Sequence, residues 1–137
     1  MSAPTHAVIV KAYIWRDGKC LLLKRHADDE EYPGFWDNPG GHLKSDEGAL
    51  QGLFREIAEE TGLVTTRARP LSTWDHFKGT ESRIGISFLA TDPGGKVTLS
   101  PEHEDFVWAA PDAIAHMPMA ENLKRELLWI VARDWHL

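Results

Sequence analysis

The sequence predicts a mixed β-sheet covered by helices, α/β or α+β in class, and three observations carry that expectation. Strand-like and helix-like segments follow in the order strands, helix, strands, helix. The apolar pattern changes from strand-like runs to helical spacing at the segment boundaries. No repeat or low-complexity tract breaks the series, so a helical bundle or an all-β sandwich is disfavoured. At 137 residues the chain has the usual length of one domain, and 1–137 is read as a single unit.

The elements follow in order. Ala7 to Trp15 is rich in β-formers, Asp17-Gly18 is a turn dipeptide, and Lys19 to Arg25 is a second apolar run, which together predict a β-hairpin. His26 to Tyr32 is polar and acidic and reads as an exposed loop. Pro33-Gly34, Asn38-Pro39 and Gly40-Gly41 mark irregular backbone around Phe35-Trp36-Asp37. A helix is expected over Glu47 to Thr61, with Ser45 or Asp46 as N-cap, Leu50, Leu53, Phe54 and Ile57 as its apolar face, and Gly62 as its stop. Leu71 to Phe77 and Arg83 to Ala90 read as strands, Asp92 to Gly95 as a turn, and Asp105 to Ala109 as a short strand. Pro111 opens a short helix at its first position, and Glu121 to Asp134 carries Leu123, Leu127, Ile130 and Val131 at helical spacing.

Composition narrows the function. Lys and Arg total 15 against 21 Asp and Glu, a net charge of −6, so the surface as a whole repels a long polyanion. A small phosphorylated substrate stays compatible, because cations held by carboxylates reverse the local field. The lone Cys20 cannot form an intramolecular disulfide, no zinc-ligand spacing is present, and a reducing cytosol is the expected compartment. The amino-terminal stretch lacks a basic leader, Lys11 interrupts its apolar run, and no segment has the length of a membrane span.

The chemistry concentrates between Gly41 and Leu63. On a helix, Glu56, Glu59 and Glu60 stand at i, i+3 and i+4, which crowds three carboxylates on one face. Like charges at that spacing destabilise a bare helix unless the face binds hard divalent cations, which prefer oxygen ligands. The bland alternative is a solvated charged face, the commonest meaning of a charge run. Pro39-Gly40-Gly41, just before, lets backbone approach a ligand closely.

The full spacing goes further. Gly41, Glu47, Arg55, Glu56, Ile57, Glu59, Glu60, Gly62 and Leu63 each fall on a specified position of G-x5-E-x7-R-E-U-x-E-E-x-G-U, with U aliphatic. The segment resembles a complete Nudix box. The resemblance covers 23 of 137 residues directly, and the flanking strands, Arg25 and Trp108 suit the same layout. It implies an α/β/α sandwich and a hydrolase of nucleoside diphosphate derivatives that depends on Mg²⁺ or Mn²⁺. It further implies that Glu56, Glu59 and Glu60 hold the metal, that Gly40 lends its carbonyl, that Arg55 orients the glutamates, and that Glu47 supports them from behind. The chain departs from many relatives at Lys44 and Asp46, outside the specified positions, which bears on substrate detail.

A further carboxylate completes the site in such enzymes, as metal ligand or general base. Glu102, six residues before Trp108, is preferred to Glu104, and Glu56 stays open as the alternative base. Arg25 is a candidate phosphate clamp, and Gly41 a candidate point of substrate approach. His42 and His103 are read as loop hydrogen-bonding residues near the cleft, and Trp36 with Phe35 as partial core that also offers a stacking surface. The expected substrate is a small nucleotide, foremost a (d)NTP or modified NTP cleaved to NMP and pyrophosphate. Nucleotide sugars, ADP-ribose and dinucleoside polyphosphates are the alternatives within this chemistry. A non-catalytic nucleotide-binding module or an acidic interaction domain are the alternatives outside it. No long nucleic acid or membrane partner is expected, and the chain is read as monomer or homodimer.

Overall fold

The computed structural model describes residues 5–137; residues 1–4, part of the stretch read above as lacking a basic leader, lie outside the described residues. Strand β1 (Ala7–Arg16) and strand β2 (Lys19–Arg25) meet around Asp17 and Gly18, both at positive φ. They pair only at Trp15 with Cys20 and Arg16 with Lys19, then part. The expected hairpin is therefore short, and each strand goes on to a different neighbour. The strands β3 (Trp36–Asp37) and β4 (Gly40–His42) fill the opening: β3 pairs with β2, and β4 pairs with Ile9 to Lys11 of β1.

This corrects the reading of Gly40-Gly41 as irregular backbone. Gly40 adopts φ 152°, and a Cβ there would lie 2.0 Å from the Val10 carbonyl oxygen. Only glycine lets the segment lie so close to β1. The Ala12 amide donating to Pro39 and the Asn38 side chain donating to the Ala12 carbonyl secure the same junction.

Helix α1 (Ala49–Thr61) follows, then the antiparallel pair β5 (Ala68–Lys78) and β6 (Glu81–Ala90). Strand β6 runs parallel to β1 over Ala7 to Ile14, so the sheet is mixed, with its main path in the order β3-β2-β1-β6-β5. Strand β7 (His103–Ala109) returns antiparallel on β2, and the short α2 (Pro111–Ile114) and α3 (Glu121–Ala132) close the chain.

The two sheet faces explain the layers. Val10, Ala12, Ile14, Leu21 and Leu23 point to one side, where Leu53 and Ile57 of α1 cover them. Tyr13, Cys20 and Leu22 point to the other, under Ile114, Leu123, Leu127 and Ile130 of α2 and α3. Strict alternation along β1 and β2 thus feeds two cores, and the architecture is an α/β/α sandwich.

Two details of α1 differ from expectation. It begins at Ala49 behind an extended Gly48 with no side-chain cap, and the Glu47 carboxylate just before it is held by Arg55 and by the Lys44 amide. Neither Ser45 nor Asp46 caps it. Leu50, placed on the apolar face by spacing, stays 44% exposed, whereas Leu53 and Ile57 are fully buried. The helix ends at Gly62 in the left-handed region, φ 74°.

Candidate active site

Where β1 and β2 splay apart, a cleft of about 1080 Å³ opens. Its lining along β1 is Ile9, Lys11 and Tyr13, the alternate residues that do not enter the α1 core. Segments from β3, β4, the 26–32 loop, β5, β6 and α3 complete the wall.

At one end the acids gather. Glu60, on the last turn of α1, is buried at 5% exposure and accepts a hydrogen bond from the Gly40 amide at 2.8 Å. One ligand atom each from Glu60, Glu102 and His103 lie within 4.8 Å of one another. Burial, reinforced by the negative neighbours Glu56 and Glu102 and opposed by Lys11 and the Gly40 amide, pushes the Glu60 pKa up to about 7. His103 sits opposite Arg25 in the β2–β7 pairing, and its Nδ1, 3.9 Å from Glu60, is buried without a hydrogen-bond partner. Burial holds the imidazole below its ordinary pKa, so it is neutral at pH 7 and that contact is not an ion pair.

Arg55 organises the outer glutamates. Its Nε and Nη2 donate to the two oxygens of Glu47 at 2.5 and 2.9 Å, and Nη1 donates to Glu56 at 3.0 Å and Glu59 at 3.1 Å. The Glu47 pKa is held down at about 2, first by the Arg55 hydrogen bonds and then by the Lys44 amide. Glu56 goes the other way: burial raises its pKa against the pull of Arg55. Its carboxylate also occupies the space over Gly41, where a Cβ would fall 2.7 Å from it. Glu59 is more than half exposed and rests on Arg55, so the three helix acids sit at three different depths.

Arg25 is not a free guanidinium. It donates to Asp37 at 3.0 Å and Asp29 at 2.9 Å, and Lys11 pairs with the same Asp37 oxygen at 3.2 Å. Burial disfavours the Asp37 carboxylate, but Lys11 and Arg25 overcome it and keep its pKa below the ordinary value. Glu104 stays out of the cleft and pairs with Lys24 at 3.5 Å, while Glu102 lines the cleft. His42, Trp36 and Phe35 line it as well.

Lys11 and Asp37 carry no motif that singles them out in the sequence, where Lys11 is only a break in an apolar run. A charged residue inside a strand whose neighbours are buried on both faces is itself the signal of a cleft, since burial without partners is costly.

The donor set of carboxylate oxygens with one buried, partnerless imidazole nitrogen fits a divalent cation. Among the described residues no helix is long and apolar enough to cross a membrane. Residues 5–130 match the family model described as NUDIX domain. The chain is 34% identical over 113 residues to the CTP pyrophosphohydrolase of Escherichia coli K12, covering 82% of each. It is 31% identical over 130 residues to the nucleoside triphosphatase NudI of Escherichia coli O139:H28, covering 87% of this chain and 92% of the other. The crystal structure of a MutT protein from Methanosarcina mazei superposes with a TM-score of 0.83 at 26% identity, over 94% of this chain and 95% of that one. With that agreement of sequence and fold, the chain belongs to the NUDIX family and is a hydrolase of phosphoric anhydride bonds.

Proposed function

We propose that the chain hydrolyses a (d)NTP or modified NTP to NMP and pyrophosphate with Mg²⁺ or Mn²⁺ as cofactor. The observation that carries this reading is the convergence of Glu60, Glu102 and His103 at the end of a cleft beside the Arg55-braced Glu56. The similarity to a CTP pyrophosphohydrolase and to a nucleoside triphosphatase supports a triphosphate over a nucleotide sugar, ADP-ribose or a dinucleoside polyphosphate.

The cation would be held by Glu56, Glu59, Glu60 and Glu102, with the Gly40 carbonyl as a further oxygen and the His103 Nδ1 beside Glu60 as the one nitrogen in the group. When bound, it neutralises phosphate oxygens and lowers the pKa of the attacking water. Glu102, on the loop before β7, takes the proton of that water as it attacks one phosphorus of the α–β diphosphate. The bond from that phosphorus to the bridging oxygen breaks, and the group beyond the oxygen leaves with the electron pair: pyrophosphate if the α phosphorus is attacked, NMP if the β phosphorus is; either way the products are NMP and pyrophosphate. Arg55 fixes Glu56 and Glu59 through one guanidinium and leans on Glu47, so substrate entry need not reorganise the carboxylates. Gly41 leaves the space that the Glu56 carboxylate fills. Arg25 reaches a substrate phosphate by releasing Asp29, the less embedded of its partners.

The test is release of nucleoside monophosphate, with the co-product identified by chromatography, from a panel of nucleoside triphosphates, nucleotide sugars, ADP-ribose and dinucleoside polyphosphates, with Mg²⁺ and then with EDTA. Release from triphosphates that EDTA abolishes is the expected result. Faster turnover of any other class overturns the substrate assignment, and binding without turnover of any compound makes the chain a nucleotide-binding module.

A further inference from the structure

Beyond the acidic end, β1 carries the cleft floor onward from Lys11 to Tyr13, a step of about 7 Å along the strand. There the chain builds a second polar station that the hydrolytic chemistry does not use. The Tyr13 hydroxyl donates to Glu126 Oε1 at 2.7 Å, and the Ser72 hydroxyl donates to Glu126 Oε2. Three distant segments meet here: β1, the bulge of β5 and the middle of α3. Burial, helped by the Glu126 charge, pushes the Tyr13 pKa far above its ordinary value, so this hydroxyl remains a donor.

Glu126 is half-buried and lines the cleft. Each of its oxygens receives one hydroxyl, and a carboxylate has about four acceptor sites, so unused acceptor capacity remains on both. The two hydroxyls fix the orientation of the carboxylate, and no cation pairs with it among the described ion pairs. Flat surfaces line the same cleft. Trp36 and Trp74 both line the cleft, and the Trp74 ring lies directly on β6, where a Cβ on Gly85 would fall 1.9 Å from it. Gly85 is what makes room for that indole.

We infer that Glu126, held by Tyr13 and Ser72 beside Trp36 and Trp74, reads the nucleobase and selects one that presents an exocyclic amino group. The inference rests on the triphosphate reading above and adds the base to it. A carboxylate only accepts hydrogen bonds. The amino groups of cytosine, adenine and guanine donate, whereas the 4-oxo group of uracil or thymine would place acceptor against acceptor. Against a 4-oxo analogue the carboxylate keeps its Tyr13 and Ser72 hydroxyls, but its free acceptor sites face a second acceptor, and that repulsion disfavours the analogue. Trp74 and Trp36 supply stacking surface that any base can use, so discrimination falls to Glu126.

The test compares kcat/KM for CTP with UTP, and for ATP and GTP with ITP, alongside calorimetric binding of CTP and UTP in EDTA, where turnover is stopped. The wild type is expected to favour the amino-bearing member by about tenfold or more. Glu126→Gln presents a carboxamide that donates as well as accepts, and the CTP-to-UTP ratio should fall to near one or invert. Ser72→Ala, which frees one oxygen without changing the charge, should keep the direction of preference and reduce its size. Thermal melting of each variant confirms that a changed ratio belongs to a folded protein. A ratio near one in the wild type, or one that Glu126→Gln leaves in place, overturns the inference while hydrolysis itself stands. Binding preference for CTP with no turnover of any nucleotide upholds the inference and overturns the catalytic reading instead.

Discussion

Replacing Glu60 by glutamine removes one negative charge from a place where burial makes that charge costly, and the size of the effect follows from the site. The carboxyl is 5% exposed, faces Glu56 and Glu102, and has a pKa of about 7 where an ordinary glutamate titrates near 4.5. Because the folded value is raised, the folded state prefers the protonated form. The stability that goes with it is complete below about pH 4.5, declines as pH rises to 7, and is absent above. At about 1.4 kcal/mol for each tenfold change, the metal-free wild type at pH 8 carries a penalty of about 3 kcal/mol. Glutamine retains an oxygen for the Gly40 amide and carries no charge. In EDTA at pH 8, Glu60→Gln should therefore melt higher than wild type by roughly 10 °C for a chain of this size, and the two should coincide at pH 4. Saturating Mg²⁺ should reverse the order, since it stabilises the wild type by mass action and has lost a ligand in the variant. Scanning calorimetry at both pH values, with EDTA and with Mg²⁺, reads all four cases. A variant that melts at or below wild type at pH 8 in EDTA refutes the argument from burial.

Arg55→Lys keeps the charge but loses the fork that grips both oxygens of Glu47, so turnover should fall by orders of magnitude in a steady-state assay. The Glu47 pKa is depressed to about 2, so its contribution to stability is present above about pH 4.5 and is lost as pH falls toward 2; the same variant should flatten that acid limb of a melting-versus-pH curve. Gly41→Ala puts a methyl group 2.7 Å from the Glu56 carboxylate, and Mg²⁺ titration should show weakened affinity with the fold intact by circular dichroism. Glu102→Gln should lower the single-turnover rate strongly while Glu104→Gln, paired with Lys24 outside the cleft, should not; the opposite result would move the base to Glu104.

How legible the site was in the sequence depends on how local its parts are. The run from Gly41 to Leu63 is contiguous, its acids recur at helical spacing, and Gly62 ends the helix as a left-handed cap, so the arrangement could be read from one strip of sequence. The start of that helix could not: it lies at Gly48, past Ser45 and Asp46, and the Glu47 carboxylate just before it is held by Arg55, eight residues away, a contact that no local pattern shows. The cleft floor was hidden for a different reason. Val10, Ala12 and Ile14 alternate with Ile9, Lys11 and Tyr13, and both sets look apolar apart from one lysine, because the sheet is covered on both faces.

Which of those two faces opens into a cleft is decided by the parallel pairing of β1 with β6 and by α3 packing beside Tyr13. Tyr13 and Glu126 are 113 residues apart, and no local pattern in either segment specifies the other. The α1 carboxylates at one end of the cleft are therefore written in a short motif, whereas Glu102 beside them and the far end of the cleft are brought together by contacts that only the fold creates. The same division makes the two ends separable: residues of α1 can stay as they are while β5 and α3 change the base that is read. An exchange at Glu126 should accordingly alter the ranking of nucleotides at constant Mg²⁺ affinity, whereas an exchange at Glu60 should alter Mg²⁺ affinity at constant ranking. Metal titration and a nucleotide panel on both variants measure the two quantities side by side, and a change of both by either substitution would show that the two ends of the cleft are not independent.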